Sequence, residues 1–209
     1  MSNKFLEKDA VISGIGQSDI GRRLEFSGLQ LTLDAARVAM DDAGLSPDDI
    51  DGIATWPGEM EDSQPGFSPV SVPQLQTALG LNLNWYNAAC GKESTQMSAL
   101  INACMAVATG QARHVLCYRT MTEASAMTRG VRSSVLGTAS NRVTGEFQWQ
   151  LPFNAFSAAN WIGLVASAYF HEFGATREQL AQVALNGRRN AALNPKAIYR
   201  DPLTLEDYM

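Results

Sequence analysis

Short apolar segments alternate along this chain with longer segments of helical periodicity, and this alternation limits the fold more than any other feature. Each apolar segment is bounded by glycine, polar or charged residues, as buried strands are. The segments cover residues 11–16, 51–56, 84–89 and 114–119. Strands that are joined by helices pair in parallel, because a parallel pair needs a long crossover connection. The sequence therefore predicts an α/β fold with a mixed, largely parallel sheet.

Capping residues mark the ends of several predicted helices. Ser27 is a suitable N-cap and Gly44 a suitable stop for one helix, and Thr176 with Gln179 forms a capping box for another. Residues 93–108 carry small and apolar side chains on all sides, which predicts a helix buried in the centre of the fold. Further helices are predicted over residues 70–79 and 156–173, with short starts at residues 46–49 and 204–207.

The segment after the last predicted strand, residues 120–151, has little periodicity and many Thr, Ser, Arg and Gly residues. Connections of this length are uncommon in compact domains unless they have a function. We therefore expect an excursion from the sheet with a role of its own.

Composition and charge exclude several classes of protein. The 209 residues are 45% hydrophobic, and 16 Lys and Arg against 21 Asp and Glu give a net charge of −5. These values are typical of a globular chain and give no electrostatic reason to expect a nucleic acid or an anionic membrane as partner. No apolar run reaches the roughly 20 residues of a membrane span, and the charged N-terminus does not resemble a signal peptide, so we expect a cytoplasmic protein. Three cysteines without a CxxC pair predict neither a disulfide framework nor a metal site.

Several short motifs, in their order and spacing, resemble the N-terminal half of a thiolase-superfamily protein. They are AVISGIG at residues 10–16, AGLSPDDIDG at 43–52, MAVATG at 105–110, YFHEFGAT at 169–176 and RRNAALNP at 188–195. The similarity is greatest to the lipid-transfer-protein branch, which includes sterol-carrier-type thiolases and the steroid side-chain aldolases. The resemblance implies a thiolase-like layered αβαβα fold and a dimer across sheet edges. It also implies that residues 1–209 form the N-terminal half, with the excursion at about 120–151, and that the C-terminal half is absent from this chain.

Two residues compete for the position at which thiolases carry their nucleophilic cysteine, at the start of the buried helix. By the family's spacing to Gly110, that position is Glu93, within a segment ESTQMSAL that resembles the family's CSTGSTAL. Cys90, in NAAC, resembles the approach to the same motif three residues earlier. Helix spacing changes less readily than loop length, which favours the Glu93 register. A carboxylate there cannot form the acyl-thioester of thiolysis.

Each candidate also has a simpler interpretation. Glu93 can be a first-turn acid that stabilises its helix through the helix dipole, and Cys90 can be an inert buried thiol. Cys104 and Cys117 are expected in the core. His114 is expected at the surface and His171 in a capping or packing role.

Other candidates for substrate contact follow the last predicted strand. Tyr118 and Arg119 lie at its carboxyl end, where α/β sites gather, and are candidates for lining the pocket or a dimer contact. Arg129, Arg132 and Arg142 lie in the excursion, where they are candidates for CoA phosphates; solvated loop residues are the alternative.

The resemblance implies retro-aldol cleavage of a bulky, steroid-like β-hydroxyacyl-CoA, a lyase reaction that needs no acyl-enzyme. Its acid and base residues are expected in the C-terminal half. Coenzyme A is expected as part of the substrate, with no covalently bound cofactor and no metal. The implied partners are a second copy of the chain and a small OB-fold protein with a zinc ribbon. The alternatives are a thiolase or acyltransferase that uses Cys90 as nucleophile and a non-catalytic thiolase-like subunit.

Overall fold

The structure, a computed structural model, describes residues 6–22, 24–59, 66–88, 96–128, 147–155 and 158–209. The chain divides into two units, residues 1–135 and residues 136–209. The division falls within the predicted excursion.

A three-stranded parallel sheet organises the first unit. Strand β1 (Gly52–Thr55) lies between β2 (Trp85–Ala88) and β3 (Val115–Tyr118), in the order β2-β1-β3. Ile53 of β1 is in register with Tyr86 of β2 and with Leu116 of β3. The strands alternate with helices along the chain. This arrangement confirms the predicted α/β class, and both strand pairings are parallel.

The two faces of the sheet are covered by different kinds of side chain. One face is covered by α1 (Gly28–Ala43) and α2 (Val72–Leu79), whose Met40 and Leu75 pack with Ile53. The other is covered by α3 (Gln96–Ala108), whose buried residues are alanines, with Ala99 and Ala103 against Ala54 of β1. The first unit is therefore a helix, sheet and helix sandwich.

Local capping fixes both ends of α1 as predicted. The Ser27 hydroxyl accepts a hydrogen bond of 3.1 Å from the Gln30 amide. Gly44 adopts φ 68°, a left-handed conformation that favours glycine, and ends the helix. Helix α2 is capped in the same way by Ser71 and Gly80.

A single carboxylate connects the strands at the amino edge of the sheet. Asp51 Oδ1 accepts hydrogen bonds from the backbone amides of Arg113 (2.8 Å) and His114 (2.9 Å). Its Oδ2 accepts one from Asn84 Nδ2 at 3.2 Å. Burial disfavours the charged form of Asp51, but these bonds outweigh it and hold the pKa of this carboxyl below its ordinary value.

The described part of the predicted central helix, Gln96–Ala108, is buried on one face only. Ala99, Ala103 and Ala106 are buried. The opposite face is exposed and carries Met97, Ile101 and Met105. Apolar composition predicted burial on all sides; the sheet packs on the alanine side of α3, and the short 3-10 helix Leu6–Asp9 also contacts α3.

The prediction of a buried strand at residues 11–16 is wrong. These residues form neither helix nor strand, and the side chains of Val11, Ile12 and Ile15 are exposed. Gly14 and Gly16 instead approach the backbone of α1 so closely that a Cβ atom would overlap it. The Ile15 amide donates a 2.9 Å hydrogen bond to the Asp42 carboxylate.

The second unit is helical in its described residues. It contains α5 (Phe147–Gln150), α6 (Ala158–Phe173), α7 (Arg177–Leu193) and α8 (Leu205–Tyr208). The predicted capping boxes at Thr176 and Thr204 start α7 and α8. In the first unit, α4 (Glu123–Thr128) begins the segment predicted as an excursion, most of which lies outside the described residues.

Candidate active site at the carboxyl edge of the sheet

The carboxyl ends of the three parallel strands meet at one edge of the sheet, the edge at which α/β proteins bind ligands. Thr55 ends β1, Ala88 ends β2 and Tyr118 ends β3. Gln96, the first described residue of α3, reaches the same edge, because its Nε2 donates to the Tyr118 carbonyl at 3.5 Å. The described chain on either side of residues 89–95 therefore ends and resumes at this edge.

Tyr118 is held in place at this edge. Its hydroxyl donates a 2.9 Å hydrogen bond to the Val70 carbonyl, and its own carbonyl accepts one of 2.9 Å from the Thr55 hydroxyl. Burial strongly raises the pKa of the phenol, so Tyr118 is neutral at physiological pH. Its described contacts are those of a residue that joins β3 to the start of α2.

Arg119 is enclosed by aromatic rings. Its guanidinium lies 4.9 Å from the ring centroid of Trp56 and 4.4 Å from that of Phe67. Its Nη1 donates a 2.6 Å hydrogen bond to the Trp56 carbonyl. Partial burial lowers the pKa of Arg119, and the nearby Glu123 carboxylate opposes this shift, so the side chain remains a cation.

The loop that carries Phe67 has a second anchor. The Thr122 amide donates a 2.7 Å hydrogen bond to the Gly66 carbonyl. Gly66 has φ 76°, and a Cβ atom there would lie 2.8 Å from backbone atoms of Thr122 and Glu123. Only glycine fits this position, because the left-handed conformation and the close approach both exclude a side chain.

The two rings that enclose Arg119 were not predicted as site residues. Trp56 follows β1 directly, and it forms an edge-to-face pair with Phe67, at a centroid distance of 6.3 Å and an interplanar angle of 76°. Both rings are partly exposed. The sequence contained one indication for Trp56. It immediately follows a predicted strand, and that position belongs to the ligand-binding edge of the sheet.

Two of the predicted site residues lie within the described part of the chain, and the others do not. The structure places Tyr118 and Arg119 together at the carboxyl edge. The others, Cys90, Glu93, Arg129, Arg132 and Arg142, lie outside the described residues.

Of the two cysteines that the structure describes, Cys117 is a poor nucleophile because of its environment. Cys104 lies on α3 and Cys117 on β3, both half-buried. Burial raises the pKa of the Cys117 thiol to about 11, with a smaller contribution from Cys104. A thiol with this pKa is almost fully protonated at neutral pH.

The histidine of the first unit, His114, is not at this edge. His171 is exposed on α6. His114 was expected at the surface, but it is half-buried at the amino edge of the sheet beside Asp51, and its Nδ1 makes no hydrogen bond within the described part of the chain.

A cleft of about 820 Å³ in the first unit runs along β3, between α1, α3 and the N-terminal segment. One wall of the cleft is residues 9–21, where Val11, Ile12 and Ile15 are exposed. Across the described ranges, no group of three or more His, Cys, Asp or Glu residues is arranged to hold a metal ion. No helix within those ranges is long and apolar enough to cross a bilayer.

Comparison with known families decides the identity of the fold. Residues 9–206 match the family model for the thiolase N-terminal domain. The chain belongs to the thiolase family. This confirms the resemblance and, with the parallel sheet, the predicted fold class.

Known proteins that are similar to the chain include two lyases. A steroid side-chain-cleaving aldolase of Thermomonospora curvata is 34% identical over 95% of this chain and 49% of the relative. A 17-hydroxy-3-oxo-4-pregnene-20-carboxyl-CoA lyase of Mycobacterium tuberculosis is 31% identical over 98% of this chain and 51% of the relative. A solved structure described as an Ltp2-ChsH2(DUF35) aldolase matches with a TM-score of 0.77 and 33% identity, over 94% of this chain and 47% of that one. The chain thus spans about half the length of the relatives that it matches.

Proposed function

We propose that this thiolase-family chain is part of a carbon–carbon bond lyase that cleaves a bulky, steroid-like β-hydroxyacyl-CoA by a retro-aldol reaction. The similarity to two lyases across nearly the whole chain carries this proposal. In the reaction, a base removes the β-hydroxyl proton and the bond between the α and β carbons breaks. The electron pair of that bond forms the enolate of the thioester, which takes up a proton. The products are a ketone and a shortened acyl-CoA.

In this proposal the chain supplies the scaffold and a wall of the site, while the C-terminal half supplies the acid and base groups. The described part of the carboxyl edge fits a wall, since Tyr118 is neutral and Arg119 is bound to its neighbours. Coenzyme A enters as part of the substrate, and no covalently bound cofactor is needed. A second copy of the chain and a small OB-fold, zinc-ribbon protein are the proposed partners. The similar aldolase structure carries two joined names, Ltp2 and ChsH2(DUF35), which supports a partner protein.

The direct test is turnover of 17-hydroxy-3-oxo-4-pregnene-20-carboxyl-CoA by the whole protein, with and without candidate partner chains. The 17-hydroxyl of this compound is β to the thioester carbonyl, so cleavage should give the 17-ketone and a shorter acyl-CoA. Absence of cleavage in every combination of chains would contradict the lyase and favour a non-catalytic subunit.

A second candidate is an acyltransferase that uses Cys90 as nucleophile. An acetyl-CoA acetyltransferase of Methanothermobacter thermautotrophicus, 26% identical over 97% of this chain and 50% of the relative, favours it. Iodoacetamide labelling in competition with acyl-CoA separates the two reactions. The lyase predicts no cysteine that acyl-CoA protects, whereas the acyltransferase predicts protection of Cys90.

Two substitutions complete this test. Glu93→Ala should leave turnover nearly intact and cost about 0.3–1 kcal/mol of stability, if Glu93 only favours its helix. If Glu93 instead orients substrate or takes a proton, turnover should fall roughly a hundredfold with folding unchanged. Cys90→Ser is the control: loss of turnover in that variant alone would assign the reaction to an acyltransferase.

A further inference from the structure

We propose that Trp56 and Phe67, braced by Arg119, form an aromatic wall that selects bulky, apolar acyl groups. This inference rests on the proposed function and assigns part of its substrate specificity. It makes Arg119 a positioning residue, acting through the two rings, instead of a ligand for CoA phosphates. The aromatic wall consists of the Trp56 and Phe67 side chains.

The location of the aromatic wall supports a role in binding. Trp56 directly follows the central strand β1, and Arg119 directly follows β3, so the cluster lies at the carboxyl edge. The start of α3 reaches this edge through the contact of Gln96 with the Tyr118 carbonyl. Aromatic rings at such an edge offer flat apolar area with few rotatable bonds, which suits a rigid, apolar ligand.

The rings are fixed before any ligand arrives. Arg119 contacts both of them, and its Nη1 bond to the Trp56 carbonyl fixes the guanidinium itself. Trp56 also packs against the alanine cluster of β1 and α3. Phe67 follows Gly66, whose carbonyl is bonded to the Thr122 amide. A rigid surface of this kind improves binding because little conformational entropy is lost when a ligand contacts it.

The contacts of Arg119 also hold its charged group against the aromatic wall. A guanidinium stacks on aromatic faces and donates in its plane at the same time, which a lysine ammonium cannot do. A residue whose task was to meet a mobile phosphate would be expected to keep its planar face and its donors toward solvent. Here one donor and both neighbouring rings are already engaged.

The test compares two β-hydroxyacyl-CoA substrates, one with a steroid acyl group and one with a short aliphatic acyl group, in the whole protein with its partner chains. Phe67→Leu and Trp56→Leu should lower kcat/KM for the steroid substrate by roughly tenfold or more, mainly through KM, and leave the short substrate nearly unchanged. Trp161→Leu is the matched control, because Trp161 is exposed on α6, outside the predicted excursion, and should change neither value. Phe67→Leu keeps the test decisive if Trp56→Leu fails to fold.

Substitutions of Arg119 test the bracing. Arg119→Met should reduce the preference for the steroid substrate as the ring variants do, and Arg119→Lys should restore little of it. An equal rise in KM for both substrates would instead assign Arg119 to the CoA moiety and overturn the inference. An unchanged preference in Phe67→Leu would overturn it as well.

A binding measurement separates failure of this inference from failure of the proposed function. Quenching of tryptophan fluorescence by the steroid acyl-CoA should be largely lost in Trp56→Leu and kept in Trp161→Leu. That result without turnover in any variant would support the aromatic wall while contradicting the lyase. Full quenching in Trp56→Leu would overturn the aromatic wall, with or without turnover.

Discussion

The two units of the chain cap the starts of their helices in the same way, but they bury very different amounts of apolar surface. Helix α1 in the first unit and α7 in the second both begin at a hydroxyl N-cap, Ser27 and Thr176. The first unit has a core around Ile53, Leu75 and Val70. Among the residues of the second unit whose side chains the structure describes, Ala181 is the only hydrophobic one that is buried. Capping is therefore a local property of the sequence, whereas burial depends on what the rest of the fold provides.

Helices α1 and α6 make this contrast sharper, because each has 16 residues. Four residues of α1 are buried: Leu31, Thr32, Ala36 and Met40. Helix α6 carries more large apolar side chains, yet those described are mostly exposed: Trp161, Ile162, Leu164, Val165, Tyr169 and Phe173. The apolar content of a helix does not determine whether it is covered.

Hydrogen exchange should show the largest difference between the units. The amides of Ile53 and Ala54 in the central strand should exchange only on global unfolding, whereas those of α6 should exchange through local opening. We expect a difference of about a thousandfold or more in protection. Mass spectrometry of the exchanged chain, resolved to these segments, measures it. Equal protection in β1 and α6 would break the comparison.

A matched pair of isoleucine substitutions tests the same difference in stability. Ile53 is fully buried and Ile162 is 65% exposed. Ile53→Ala should cost about 2–5 kcal/mol, because it removes buried methyl groups and leaves a cavity. Ile162→Ala should change the free energy of unfolding by no more than about 0.5 kcal/mol. Urea denaturation of both variants gives the two values, and a large loss for Ile162→Ala would show that α6 is covered in solution.

Removal of an N-cap should have a smaller effect on stability. The effect should reach the whole fold in α1 but only the first helical turn in α7. Ser27→Ala and Thr176→Ala each remove a side-chain acceptor of the first helical turn, at about 1 kcal/mol. In α1 this loss should lower the midpoint of global unfolding, since α1 packs on the sheet. In α7 it should loosen the first turn, with little shift of that midpoint. Circular dichroism and exchange at the two helix starts distinguish these outcomes, and equal shifts of the midpoint would argue against independent units.

Acid should weaken the first unit through Asp51, the smallest of these effects. Its pKa is lowered in the folded chain, so its contribution to stability is present above the ordinary aspartate value of about 3.9 and is lost as the pH falls through the folded pKa. Asp207 also has a lowered pKa, because of its bonds to Thr204, but it affects only the turn of α8. Asp51→Asn should flatten the fall in stability of the sheet below about pH 4, whereas Asp207→Asn should not. If the stability of Asp51→Asn fell with decreasing pH as steeply as that of the unsubstituted protein, this assignment would be contradicted.

The sequence was sufficient for those features that neighbouring residues decide. The caps at Ser27, Gly44 and Thr176, and the strands at residues 52–55, 85–88 and 115–118, lie where the pattern places them. The motifs also identified the family and the lyase relatives.

The sequence was insufficient where the outcome depends on distant residues. Residues 11–16 have a strand-like composition but lie against α1, because two glycines permit close approach to its backbone. The contact of Arg119 with Trp56 spans 63 residues, and periodicity carries no information on such a pair. The choice between Cys90 and Glu93 stays a prediction for the same reason, since it depends on the placement of residues 89–95.

The Asp51 carboxylate has a consequence for the order of events in folding. Its partners lie 33, 62 and 63 residues away, so its full set of hydrogen bonds can form only after all three strands have come together. Contacts of such large sequence separation tend to form late, after the entropy of loop closure has been lost. Replacement of Asp51 should therefore accelerate unfolding far more than it slows folding. The amino edge of the sheet, remote from the proposed chemistry, would then set how long the folded strands persist.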